Sequence, residues 1–254
     1  MLLGHAAHPA SEAFPVFVAR GRPDWWITRK TKPERHPPRM TGVRTPDLTI
    51  MDADAEVETV VVVLHGGKVR SREPVLRRNL SYRRMIPIAR SLHRAGRDHG
   101  AAVWLVRFRE RGWNEPELPA VADARWAIAE ARRNHPGAAI VLVGHSMGGR
   151  TALRVADESG VRAVCALAPW IEPGEPVGHL VRSGREVLVV HGTADRWTSP
   201  AQSASYVERL RSLGVRAVHV ALPGAGHFML RRIADWTAAA RTFVMKITEE
   251  KRDA

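Results

Sequence analysis

Cysteine is almost absent from this chain: Cys165 is alone among 254 residues. One thiol excludes an internal disulfide and a thiolate metal cage, and it accords with a reducing compartment. Long apolar runs are missing too. No stretch approaches the roughly 18 residues that a membrane-spanning helix requires. The opening MLLGHAAHPASEAFPVFVARG lacks a basic start, and Pro9, Glu12 and Pro15 break its apolar character, which argues against a secretory leader. The expectation is a soluble, cytoplasmic protein without a membrane span. No His-Glu-x-x-His or similar ligand spacing occurs, so no metal site is expected. Lysine is also scarce: Lys30, Lys32, Lys68, Lys246 and Lys251 are five of the 39 basic residues, and the other 34 are arginine.

What the chain has in excess is positive charge, 39 basic against 26 acidic side chains, for a net +13. Clustered cations attract phosphate and anionic surfaces. No nucleic-acid-binding motif accompanies them, so solvated arginines from a GC-rich coding bias are the plainer account, and nucleic acid is not an expected partner. Residues 68–98 concentrate the excess, with Lys68 and nine arginines against Glu73 and Asp98. Either this is a solvated helix face, or its beginning lines the mouth of a crevice and favours acidic or phosphate-bearing substrates. Nothing in the sequence specifies an oligomeric state.

Residues 1–50 hold seven of the seventeen prolines, the pair Trp25-Trp26 and RKTKPERHPPR. This composition reads as an extended or partly disordered arm; Met40 and Met51, within or beside it, raise the expectation of a later translation start. Residues 57–247 read as one domain. ETVVVVLHGG, AAVWLVRF, AAIVLVGHS, VRAVCALAP, REVLVVHG and VRAVHVALPG are short apolar runs of strand length, as parallel strands covered on both faces require. Helices are expected from Pro119 to Asn134, and from a Ser199 cap with Pro200 in the first turn to a terminating Gly214. A C-terminal helix is expected where Leu230, Ile233, Ala240, Val244 and Ile247 recur. Strands alternating with helices predict an α/β fold: a three-layer αβα sandwich around a mostly parallel sheet. Ligands of such sheets bind beyond the carboxyl ends of the strands.

One of those ends is GHSMG, which puts Gly144, Ser146 and Gly148 in the pattern Gly-x-Ser-x-Gly between a predicted strand and a predicted helix. Side chains at either glycine would collide across so sharp a turn. The serine hydroxyl would project into the crevice at a helix N-terminus, where unpaired N–H groups favour developing negative charge. A plain strand-to-helix turn with glycines for packing is the alternative. The N–H of Met147, directly after the serine, is a natural oxyanion donor.

GHSMGG, with LHGG upstream and HGTADRWTSP and PGAGHFML downstream, resembles the α/β-hydrolase superfamily, nearest its compact esterase, lipase and serine-aminopeptidase types. The likeness covers roughly residues 57–247, with four motifs in order. It implies that His227, on the Gly-rich loop after the last strand, is the base for Ser146. It also implies that Asp195, in HGTAD, orients that imidazole, with Glu172 after the preceding strand as the competing acid. Gly67 is implied as the second oxyanion donor. Of the other histidines, His145 is expected to pack within the elbow, and His65 and His191 to hold loops by hydrogen bonding.

The resemblance therefore implies a serine hydrolase cleaving a small-molecule carboxylic ester or acyl substrate through an acyl-enzyme, a chemistry that needs no cofactor. A thioesterase, a peptidase or amidase, an acyltransferase, or a non-catalytic small-molecule-binding protein of the same fold would use the same framework. Only residues 170–185 separate two strands where larger relatives insert a lid, so the lid should be minimal and the crevice open. Trp170, Trp197 and Phe228 are candidate apolar walls for the substrate, with core packing as the alternative for each; Ile171 and Met147 are further candidates.

Overall fold

The computed structural model describes residues 45–253, apart from the side chain of Ser183. It begins with β1 (Asp47–Met51), β2 (Thr59–Leu64), α1 (Leu80–Gly96), β3 (Ala101–Arg107) and α2 (Pro119–Asn134). There follow β4 (Ala139–His145), α3 (Met147–Arg154), β5 (Val161–Leu167) and α4 (Gly178–Ser183). The chain ends with β6 (Glu186–Gly192), α5 (Pro200–Ser212), β7 (Ala217–Leu222) and α6 (Ile233–Arg252).

The strands form one sheet in the order β1-β3-β2-β4-β5-β6-β7. Only β1 is antiparallel; every other neighbour pair is parallel. Helices α1 and α6 pack together against the sheet, and α2 and α3 form a second contacting pair. This is the expected three-layer arrangement. The runs TVVVVL of β2, AIVLVGH of β4 and EVLVVHG of β6 are buried throughout, because helices cover both faces of the sheet interior. At the edge, β7 is buried only at its ends.

Connectivity places the crevice. From β2 the chain moves outward to β3, then returns across β2 to form β4. Crossovers therefore diverge at the boundary between β2 and β4, the switch point where open α/β sheets hold ligands. Leu64 and Gly144, near the carboxyl ends of these strands, are register partners.

Two expectations need correction. The arm assigned to residues 1–50 ends in strand β1, so Asp47 to Ile50 belong to the sheet. DLTIM pairs on one side only and is half-buried, so it lacks the continuous apolar signature of the interior strands. Residues 1–44, with most of the arm and Met40, lie outside the described residues. The last helix starts at Ile233 and continues past Ile247 to Arg252. Leu230 precedes it and is 78% exposed; the buried stripe is Trp236, Ala240, Val244, Ile247 and Thr248.

Candidate active site

Ser146 joins β4 directly to α3, with φ 56° and ψ −119°. A non-glycine residue there is strained and persists only where its surroundings hold it. The Ser146 N–H donates to Leu167 O on the adjacent β5, and its carbonyl accepts from the N–H groups of Arg150 and Trp170. The flanking glycines are sterically required. A Cβ on Gly144 would stand 2.1 Å from Gly148 O, and one on Gly148 would stand 2.5 Å from Leu64 O.

His227 and Asp195 arrive on the loops after β7 and β6. Ser146 Oγ lies 3.0 Å from His227 Nε2, and His227 Nδ1 lies 2.8 Å from Asp195 Oδ2. The carboxylate can only accept, so Nδ1 carries the hydrogen and the lone pair of Nε2 faces the serine hydroxyl. That is the tautomer a general base needs. Glu172, the competing acid, instead accepts from the Trp170 indole N–H.

Asp195 is held ionised by an unusual number of donors. Burial pushes its pKa up, but hydrogen bonds from His191 and His227 and from the Thr198 and Trp197 amides outweigh that, leaving it well below the usual carboxylate range. His191 Nε2 is 3.1 Å from Oδ2, and Thr198 Oγ1 donates to the same oxygen at 2.9 Å. Oδ1 accepts the amides of Trp197 and Thr198 at 2.8 and 3.0 Å. His191 Nδ1 meets Ser203 Oγ at 2.8 Å. The sequence suggested a loop-holding histidine at 191, and the structure makes it a second imidazole on the same carboxylate. Its position four residues before Asp195, at the end of a strand, was the available signal. Thr198 carried none.

His145, inside the elbow, donates from Nε2 to the His227 carbonyl at 2.8 Å. Its Nδ1 is buried without a partner. Burial lowers its pKa to about 3, so the ring stays neutral. It ties the loop carrying His227 to the turn carrying Ser146 rather than merely packing.

Beyond β2, His65 donates from Nδ1 to Gly66 O at 2.7 Å and accepts the Phe108 N–H at Nε2. The next residues run beside the serine: a Cβ on Gly66 would lie 3.2 Å from Ser146 Cβ, and one on Gly67 would lie 2.5 Å from Met147 Sδ and collide with the backbone oxygen of Arg111. Only glycine permits that approach at residue 67. Lys68 N–H donates to Arg111 O, and Trp113 N–H donates to Lys68 O, fastening this loop to the one after β3. The Gly67 N–H donates to nothing among the described residues. Met147 opens α3, so its N–H has no intrahelical acceptor.

Of the candidate wall residues, Phe228 and Trp197 come together next to His227. Their rings stack edge-on at 5.2 Å, and Phe228 meets the His227 ring at 5.4 Å. Trp197 is 73% and Phe228 37% exposed. Trp170 is half-buried and differently engaged: it meets Trp113 edge-on at 6.1 Å, and the buried guanidinium of Arg150 lies over both rings, at 4.7 and 4.5 Å. Ile171 and Met147 are buried in the core. Arg150 also pairs with buried Glu175 at 2.7 Å, and Glu175 binds Arg154 through its other oxygen.

Residues 61–186 match the Alpha/beta hydrolase family, and residues 171–251 match the Prolyl oligopeptidase family. The chain belongs to the alpha/beta hydrolase superfamily. No curated protein matches its sequence. Among solved structures, this hydrolase-superfamily chain is similar to XC6422 from Xanthomonas campestris, described as an a/b serine hydrolase without a lid. The two are 21% identical with a TM-score of 0.58, over 79% of this chain and 88% of that one. It is similar to the thermophilic esterase Est2 of the Planctomycetes species Thermogutta terrifontis at 18% identity and a TM-score of 0.59, over 80% and 89%. Est1E from Butyrivibrio proteoclasticus gives 14% and 0.60, over 79% and 93%. These likenesses concern the fold. As the short interval between β5 and β6 predicts, the segment over the site contains only the six-residue helix α4. Among the described residues, no helix is long and apolar enough to cross a membrane, and no group of His, Cys, Asp or Glu is arranged to hold a metal ion.

Proposed function

We propose that this chain is a serine hydrolase that cleaves a carboxylic ester through an acyl-enzyme. The observation that carries the reading is the continuous relay from Ser146 through His227 to Asp195. Ser146 Oγ attacks the ester carbonyl while its proton passes to His227 Nε2. The negative charge on the tetrahedral oxygen is met by the N–H groups of Met147 and Gly67, donors that cost no reorganisation when the charge forms. His227 then protonates the departing alkoxide. Water enters, gives its proton to His227, attacks the acyl carbonyl, and the returning proton restores Ser146 as the acid leaves. Asp195 supplies the counter-charge to the transient imidazolium, and His191 and Thr198 hold Asp195 in place.

Support for an ester substrate comes from relatives in fold. Est2 has been seen with propionate and with butyrate bound, and Est1E with ferulic acid. Trp197 and Phe228 would flank an acyl or alcohol group beside His227. A second reading, cleavage of a peptide or amide bond, is favoured by the match of residues 171–251 to the Prolyl oligopeptidase family.

Fluorophosphonate labelling tests the nucleophile: the wild type should label and Ser146→Ala should not. Turnover of aryl esters of graded acyl length, alongside aminoacyl and dipeptidyl anilides, separates the two bond types. Failure of the wild type to label would remove the hydrolase reading altogether.

A further inference from the structure

Arg84 differs from the other cations of the basic segment 68–98. Arg72, Arg77 and Arg97 pair with carboxylates at the surface, and Arg70, Arg78, Arg83, Arg90 and Arg94 are exposed. Arg84, on the second turn of α1, is half-buried. Its guanidinium carbon lies 4.8 Å from the centre of the Phe228 ring, the ring that meets His227 edge-on. No carboxylate among the described residues pairs with it, and its buried Nε–H has no acceptor. Burial alone shifts its pKa, downward, so no opposite charge offsets the desolvation. Its charge also disfavours protonation of His145, one residue before Ser146.

A partly desolvated guanidinium with an idle donor is an expensive arrangement unless something anionic completes it. Proteins ordinarily supply a carboxylate of their own, as Glu175 does for Arg150. At Arg84, the aromatic face of Phe228 positions the cation without neutralising it, and the cation stands one ring away from the base.

Resting on the serine-hydrolase reading above, we propose that Arg84 determines specificity by binding an ionised carboxylate carried by the ester substrate. A planar guanidinium suits this role because it can donate two parallel hydrogen bonds to a carboxylate. The substrate class is thus an ester bearing a second, free acid group: a hemi-ester of a dicarboxylic acid, or an ester whose alcohol carries the acid.

The test compares matched pairs: 4-nitrophenyl hydrogen glutarate against methyl 4-nitrophenyl glutarate, and 4-carboxyphenyl butyrate against phenyl butyrate. For wild type, kcat/KM should favour the anionic member of at least one pair, and which pair it is assigns the acid to the acyl or the alcohol side. In Arg84→Met the ratio of the two specificity constants should fall about ten- to hundredfold, mainly through KM, as loss of a charge-assisted hydrogen bond predicts. Arg84→Lys should retain part of the preference. An equal fall for both members of each pair, or an unchanged ratio, overturns the proposal. If none of these esters is turned over, the ester reading fails separately, and calorimetry decides on Arg84 itself. Glutarate should then bind Ser146→Ala and bind at least tenfold more weakly when Arg84→Met is added; equal binding, or none, overturns it.

Discussion

Lowering the pH from 7.5 to 5.0 should destabilise this protein by about 4 kcal/mol through two histidines that take no direct part in the relay. His65 and His145 are fully buried, and burial lowers their pKa values from 6.5 to about 4 and about 3. The folded state keeps both rings neutral, so the unfolded chain binds more protons below pH 6.5. The stabilisation is complete above 6.5 and is lost as the pH falls toward the folded values. At pH 5.0 neither folded ring is appreciably protonated, so the loss depends on the distance from 6.5. That distance is about 1.5 units at ~1.36 kcal/mol each, or ~2 kcal/mol per histidine. His219, also lowered by burial, acts in the same direction. Asp123, whose carboxyl is raised by burial, opposes the loss at the acid end. A change of about 4 kcal/mol is a large share of the 5–15 kcal/mol that typically separates folded from unfolded. Urea denaturation followed by tryptophan fluorescence at the two pH values measures it, and His145→Gln should remove about half of the difference. Equal stability at pH 7.5 and 5.0 within about 1 kcal/mol, or a His145→Gln variant with the full wild-type difference, would refute the reasoning.

Ser146→Gly should abolish turnover yet raise stability by about 1 kcal/mol, because glycine adopts φ 56° and ψ −119° without strain; a lower urea midpoint would contradict the strained-turn account. His191→Asn should lower kcat about tenfold with little change in KM, since Asp195 loses a charge-assisted donor while the substrate loses nothing it touches. Unaltered kcat would make His191 a packing residue. Glu175→Gln should cost about 3 kcal/mol in urea denaturation by leaving the buried Arg150 charge only the more distant, exposed Glu115 at 3.9 Å, and a loss under about 1 kcal/mol would show that Glu115 and the two tryptophans suffice.

The parallel strands were legible because each is a continuous apolar run, the only local pattern that a strand buried on both faces can present. Strand β1 was not, since an edge strand pairs on one side and DLTIM lacks such a run. Pro119, Ser199 and Pro200 marked helix starts through backbone chemistry confined to a few residues, and the Ser199 cap accepts the Gln202 N–H as that chemistry requires. Ser146 was visible because the glycines around it have their own steric logic, whereas Asp195 and His227, each just past a strand, stood out through the family resemblance of HGTAD and PGAGHF. His191, Thr198 and Arg84 gain their meaning from what lies opposite them. Arg84 and Phe228 are 144 positions apart in the sequence, and nothing local to either announces the other.

Arg150 lies on the first turn of the helix behind Ser146, and its N–H donates to the Ser146 carbonyl. Its side chain is clasped by one indole from the loop after β3 and another from the loop after β5, and anchored by Glu175. Both walls of the crevice are therefore keyed to the same turn that aims the serine. Remodelling either loop would disturb that aim, just as remodelling around Trp197 and Phe228 would disturb Asp195 and His227, which those residues touch directly.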